Sequence, residues 1–192
     1  SISPHWQNRG FRDWVSLIEL LRDAWLALRI ADGVRATRIA EAWFDLPYPT
    51  FKRLALFAAS QDGCIAPERW VEWLLADDAW WLWADETRRE VLRLLVIQGR
   101  RLTSPAKKRL ESAILAGFPR EMRGDDVEPD HWQGLVDRMK WLRLAKLNAS
   151  DLALEPASAA RFEELSRAQP QWQLATNESD EFSHWMSGTG DP

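Results

Sequence analysis

One cysteine, one tyrosine and three histidines are a thin supply of reactive and metal-binding side chains for 192 residues. Cys64, alone, rules out an intramolecular disulfide and points to a reducing cytosol. His5, His131 and His184 lie far apart, and none belongs to an HxxH, HExxH or paired-cysteine pattern, so spacing supplies no metal site. Glycine is scarce as well. Gly188 and Gly190 come nearest to a phosphate cradle, but no lysine follows them and no strand precedes them. There is no G-x-S-x-G elbow, and Cys64 has no His or Lys close in sequence, so it reads as a small packing residue after a turn. No apolar run approaches a membrane span: residues 80–83 are cut short by Asp77, Asp78 and Asp85. No stretch alternates with period two, so no β-strand is placed.

What the chain does have is tryptophan, thirteen in all, within a composition that is 46% hydrophobic and 28% charged. Those proportions belong to a globular protein, and the length suffices for one domain with a substantial core. Tryptophan suits core layers and interfaces alike, because a large apolar ring carries one N–H that needs a partner. A net charge of −4 argues against a dedicated nucleic-acid binder. The N-terminus, SISPHWQNRG, has neither an initiator Met nor a signal-peptide layout, and the C-terminus ends at GTGDP without helix-ending logic. The expectation is a single all-α domain over 1–192, cut from a longer polypeptide, with 1–48 and 49–192 as the one subdivision.

The chain is organised around residues 85–117. In the first half of that stretch Val91, Leu92, Leu94, Leu95, Val96 and Ile97 are apolar almost all round, which predicts a helix buried on more than one side. In the second half Ala106, Leu110, Ala113, Ile114 and Gly117 make a single stripe. Between the two, Ser104 is placed to cap and Pro105 to occupy the first helical position. Upstream, Phe11, Trp14, Ile18, Leu21, Trp25 and Leu28 predict an amphipathic helix closed by Asp32 and Gly33. A second helix follows over 34–45, with Ile39, Ala42 and Trp43 inward. A third is capped by Thr50 and runs to Ser60, and a fourth opens at Pro67. Residues 77–85 read equally as a short helix or as a loop. Downstream, Pro129 starts a long helix striped by Trp132, Leu135, Val136, Met139, Leu142 and Leu147. Pro156 starts another, with Phe162 and Leu165 inward, and 177–186 form a last short one.

Proline in a helix's first turn recurs at Pro67, Pro105, Pro129 and Pro156. Helix pairs begin near Thr50, Asp85 and Pro129, at intervals of roughly 35–47 residues, as in HEAT-like arrays. The fold expected is therefore all-α: an irregular, HEAT-like helical-repeat array of about eight or nine helices.

The candidate chemistry is sparse. Asp125, Asp126, Glu128, Asp130 and His131 form the densest ligand-like cluster, which reads as a solvated acidic loop before a helix N-terminus. Asp77 or Glu86 could meet a carboxylate of another helix to make an enzyme site, without a motif to support it. Charge asymmetry says more. Residues 86–109 carry Arg88, Arg89, Arg93, Arg100, Arg101, Lys107, Lys108 and Arg109 against Glu86 and Glu90, a net +6, whereas residues 120–192 carry eight basic and fourteen acidic residues, a net −6. A basic ridge can meet a phosphate backbone or an acidic protein surface. With no aromatic between the basic residues to stack a base, the protein surface is favoured. Trp80, Trp81 and Trp83 are too close together all to face inward from one helix, so at least one should reach a contact surface. The interaction residues expected are thus Trp80, Trp81, Trp83, Arg88, Arg89, Arg100, Arg101, Lys107 and Lys108, with no catalytic residue, cofactor or metal.

The segments Trp70-Val71-Glu72-Trp73-Leu74, Trp141-Leu142-Arg143-Leu144-Ala145-Lys146-Leu147-Asn148 and Phe182-Ser183-His184-Trp185-Met186 resemble the helical regions of large bacterial anti-phage defence proteins. Those proteins join such arrays to a sirtuin-like or STAND-type NTPase domain. The resemblance covers about the last two-thirds of the chain. It implies sensing, autoinhibition or assembly, with catalysis in a separate domain; no NAD-binding turn and no Walker lysine stand in this sequence. The reading is a non-catalytic scaffold or recognition module, with nucleic-acid binding through 88–109 and a carboxylate enzyme as the rival classes.

Overall fold

The computed structural model describes residue 2, residues 14–122 and residues 129–174. Eight α-helices account for most of these: α1 (Trp14–Ala31), α2 (Gly33–Asp45), α3 (Pro49–Ala59), α4 (Pro67–Trp83), α5 (Arg88–Gln98), α6 (Ser104–Ala116), α7 (Pro129–Asn148) and α8 (Pro156–Ala168). Short 3-10 turns follow α5 at Gly99–Arg101 and precede α7 at Arg120–Met122. Among the described residues there is no strand, and the architecture is an all-α helical array. The helix expected over 177–186 lies outside the described residues, as do Phe11, Asp125, Asp126, Glu128, His5 and His184 and the side chains of Trp14, Asp130 and His131.

The helix starts follow local chemistry, with two corrections. Asp32 caps α2, its carboxylate accepting from the Arg35 N–H at 3.0 Å. Pro49 opens α3 from Tyr48, so Thr50 lies inside the first turn and does not cap. Thr103 likewise precedes α6 in extended backbone, and Ser104 is already helical. In both cases a proline with its φ preset for the helix starts the turn earlier than a hydroxyl cap would. The Thr103 hydroxyl instead reaches Glu68 of α4.

Packing runs α1 on α2, α2 on α3 and α3 on α5. From there α4, α5, α6 and α7 form a cluster, with α8 against α6 and α7. α5 is its centre. Val91, Leu92, Leu94 and Leu95 are all at 0–1% exposure. Leu92 faces a smaller cluster with Trp141, Leu142, Ala145 and Leu165, while Val91, Leu94 and Leu95 face the main core. α7 is enclosed in the same way over 141–147, where every residue is buried, so the single stripe expected there widens to all faces. A half-buried ion pair ties α3 to α5: Arg53 donates to both oxygens of the buried Glu90 carboxylate at 3.1 and 3.2 Å. The buried Ile2 adds its backbone N–H to the same carboxylate at 3.2 Å.

α4 is not one continuous rod. Asp77, Asp78 and Ala79 have φ of 53°, 55° and 64°, three successive left-handed residues without a glycine. Aspartate tolerates that region better than alanine, because its short polar side chain can bond locally. Here Asp77 accepts from the Trp81 indole N–H at 3.0 Å. The stretch that read as either helix or loop is thus a helix interrupted by a strained turn.

Candidate interaction surfaces and a caged lysine

The three tryptophans beyond the break go to three different places. Trp80 is 39% exposed and remains a surface residue. Trp81 is half-buried, edge-on to Phe44 at 6.4 Å. Trp83 is 3% exposed, with its ring 5.7 Å from Phe118 and 4.1 Å from the Arg143 guanidinium. It is a core residue and withdraws from the expected contact surface, because the left-handed turn rotates the last helical piece so that 82 and 83 both face inward.

Arg143 itself was invisible as anything but one more charge on α7. It is fully buried, and its Nε and Nη2 donate to the Leu82 carbonyl at 3.0 and 2.7 Å while Nη1 donates to Met139 O at 3.2 Å. The fork therefore satisfies a carbonyl in the last turn of α4, where no helical N–H is available. Burial pushes its pKa down to about 9, with the like charge of Arg88 adding to the effect and Asp85 opposing it. The group stays protonated at neutral pH.

Lys52 was missed too. Its side chain is buried in α3, its ammonium donating to the Phe44 carbonyl and lying 4.2 Å from the Phe44 ring and 5.0 Å from the Trp81 ring. Trp73 stacks on Phe44 at 4.8 Å and 7°. Desolvation lowers the lysine pKa, against the opposing charges of Asp77 and Asp45. The cage joins α2, α3 and both pieces of α4, and the strained Asp77 is part of it.

The basic stretch is less of a ridge than its composition suggests. Arg101 pairs with Asp62 at 3.0 Å, and Lys107 with Glu155, donating also to Ala153 O. Arg88, Arg89 and Arg93 are only partly exposed, and each is engaged. Arg100, Lys108 and Arg109 are exposed. Arg101 and Lys107 are thus matched within the chain, the first by Asp62 after α3 and the second by Glu155 before α8.

Around the turn after α3, an open groove of about 440 Å³ is lined by Thr37, Glu41, Cys64, Arg69, Gln98 and Arg101 among others. Its polar groups are turned to one another. Gln98 and Arg101 both bond Asp62, Arg69 pairs with Glu72, and the Thr37 hydroxyl donates to the carbonyls of Gly33 and Cys64. Burial pushes the Cys64 thiol up, so it is no activated nucleophile. Among the described residues no three His, Cys, Asp or Glu side chains gather as metal ligands.

The largest exposed apolar feature is elsewhere. α1 buries Trp25 against Trp43 and Phe57, with centroids 6.1 and 6.4 Å apart. Its opposite side is also apolar: Leu17 and Leu20 are each 66% exposed and Ile30 is 85%, while Leu21, one turn before Trp25 on the same flank, is 38% exposed. Ala24, Ala27 and Ala31 are exposed between them, and Val34, at the corner into α2, is 68% exposed. Leu21 was expected inside. Ile18, Trp25 and Leu28 are the α1 residues of that stripe that pack into the core.

The molecule is thus an all-α helical array with an uncovered apolar face on its first helix. No protein-family model, curated protein or solved structure matches the chain. Among the described residues no helix is long and apolar enough to cross a membrane.

Proposed function

We propose that this chain is a non-catalytic, cytoplasmic recognition module that docks a protein against the outward face of α1. The observation that carries the reading is the concentration of exposed apolar side chains there. Of the eight large apolar residues exposed among the described residues, Leu17, Leu20, Leu21, Ile30 and Val34 lie on α1 or at its corner. Contiguous apolar patches of this kind mark interaction sites. Trp80 is a second, isolated contact point. The resemblance to helical regions of anti-phage defence proteins fits the same role, sensing or assembly beside a separate effector domain.

The rival readings have less behind them. Nucleic-acid binding would draw on 88–109, where Arg101 and Lys107 are already ion-paired. A carboxylate enzyme would draw on Asp77, which is bonded to Trp81, or on Glu86. The latter lines a pocket of about 160 Å³ walled chiefly by Trp80, Trp83, Phe118, Met122 and Met139. That is small for a substrate site.

A photoreactive phenylalanine analogue placed at position 20 in producing cells tests the proposal, with position 108 as control. Protein adducts at 20 that disappear when Ile30→Glu is added are expected. Nucleic-acid adducts at 108 with nothing at 20 would overturn it.

A further inference from the structure

We infer that the pocket at the end of α4 receives a quaternary ammonium head group, the trimethylated nitrogen of a choline-like molecule or of a methylated lysine side chain. None of the residues lining it belongs to α1 or α2, so the inference stands apart from the docking reading.

Local structure builds the walls. Beyond the left-handed turn at 77–79, the last piece of α4 leaves Trp80 on the surface, 39% exposed, and buries Trp83 at 3%. The Thr87 hydroxyl lies 3.0 and 3.3 Å from the Trp81 and Ala84 carbonyls, which ties down the turn that carries Asp85 and Glu86 to the pocket. On the other side Gly117, at φ 88°, ends α6 and delivers Phe118. The Phe118 ring is 5.7 Å from that of Trp83, with the planes inclined at 44°. Met122 and Met139 complete the lining with thioethers.

Three features select the ligand. The first is size. The pocket holds about 160 Å³, below the roughly 300 Å³ at which pockets for whole ligands begin, which suits a single compact head group. The second is wall chemistry. Aromatic faces attract a cation, indole most strongly, and thioether sulfurs are soft and polarizable. Apart from the two carboxylates, no lining side chain offers an oxygen. A bare ammonium is strongly hydrated and brings three N–H donors that such walls do not answer. A trimethylated nitrogen keeps the charge and needs no acceptor.

The third feature is charge. The Arg143 guanidinium lies 4.1 Å from the Trp83 ring, but it is committed to the Leu82 and Met139 carbonyls and opposed by Asp85. Arg88, the other cation acting on Arg143, is engaged as well. Glu86 is exposed and makes no hydrogen bond or ion pair among the described residues. Its carboxylate is left to balance a positive ligand.

Nitrogen–proton NMR of the full chain reads the site through the tryptophan indole signals. Choline is the probe, and its neutral isostere, with carbon in place of the nitrogen, is the control. Choline should move the Trp80 and Trp83 signals saturably with a dissociation constant on the order of 1 mM, and the isostere should bind about tenfold more weakly. Trp80→Ala and Glu86→Gln, both at exposed positions where the fold is kept, should each weaken choline at least about threefold. A glycine-flanked peptide carrying one trimethyllysine separates the two sources. Binding at least about tenfold tighter than choline assigns the site to a protein side chain, and weaker binding than that assigns it to a free small molecule. No saturable shift up to about 50 mM choline, shifts confined to other tryptophans, equal binding of the isostere, or choline binding unchanged in either variant would each overturn the assignment.

Discussion

The Lys52 ammonium takes two things from one residue: it donates to the Phe44 backbone carbonyl and lies 4.2 Å from the centre of the Phe44 ring. Cation–ring attraction and a charge-assisted hydrogen bond thus both oppose the desolvation of a buried lysine. Desolvation still prevails, because the pKa is lowered from 10.5. The folded chain therefore sheds this proton at a lower pH than the unfolded chain, and between the two values the unfolded state binds more protons. Stability contributed by Lys52 rises with pH through that alkaline window and levels off near 10.5. Urea unfolding of wild type and Lys52→Met between pH 7 and about 10.5 should show the difference moving in favour of wild type as pH rises. A constant difference would mean the ammonium is not desolvated as described.

Arg143 supplies donors that no apolar residue can replace. Arg143→Met keeps the packing volume but leaves the Leu82 carbonyl buried with both its guanidinium donors gone. The expected loss is about 2 kcal/mol, or about 4–8 °C in melting temperature for a chain of this size. Arg143→Lys should also destabilise, because one ammonium cannot bridge Leu82 O and Met139 O in the geometry of the fork. Calorimetry on both variants reads this, and a Met variant as stable as wild type would mean the clamp holds nothing.

Backbone strain in α4 gives a substitution that should stabilise. Ala79 sits at φ 64°, where an L side chain is disfavoured and glycine is not. Ala79→Gly should raise stability by about 0.5–1 kcal/mol after the entropy glycine costs in the unfolded chain. The opposite is expected at Gly99, where an added Cβ would collide with the Ser150 side chain and come within 3.3 Å of Leu147 Cδ2. Gly99→Ala should cost about 1–3 kcal/mol. Thermal melts of the two variants should move in opposite directions.

How far the sequence disclosed these features depended on whether they were local. The four prolines in first turns and the all-round apolar pattern of α5 are local, and the helix positions and the central layer followed from them. The left-handed run at 77–79 has no such signal: Asp-Asp-Ala carries no glycine, and what accompanies it is the Trp81 bond to Asp77 and the packing of Ala76 and Ala79 against the core. Lys52 sits in FKRLALF, and its only signal was a charge among residues that nearly all turned out to be buried. α1 was read as one stripe although apolar residues occupy both its sides. A count around the whole helix would have separated the inner set of Ile18, Trp25 and Leu28 from the outer set of Leu17, Leu20, Ile30 and the alanines.

Nucleic-acid affinity should be weak for a countable reason. With Arg101 and Lys107 committed to ion pairs, the other exposed cations of the central helices are Arg100, Lys108 and Arg109. Three phosphate contacts allow a log–log salt slope of about −3 at most. Titration with duplex DNA and single-stranded RNA across salt concentrations should show no steeper dependence. A slope near −6 would restore the whole basic stretch as a binding ridge.

Whether the outer face of α1 is a docking surface rather than unfinished core is decided most directly by melting temperature measured beside association. The double variant Leu20→Glu/Ile30→Glu should melt within about 2 °C of wild type, the range of surface substitutions, while losing its contacts through position 20. Trp25→Ala, on the inner face, should lose about 3–5 kcal/mol. If the double variant instead unfolds as readily as Trp25→Ala, or keeps its contacts intact, the face is not where this protein meets its partner.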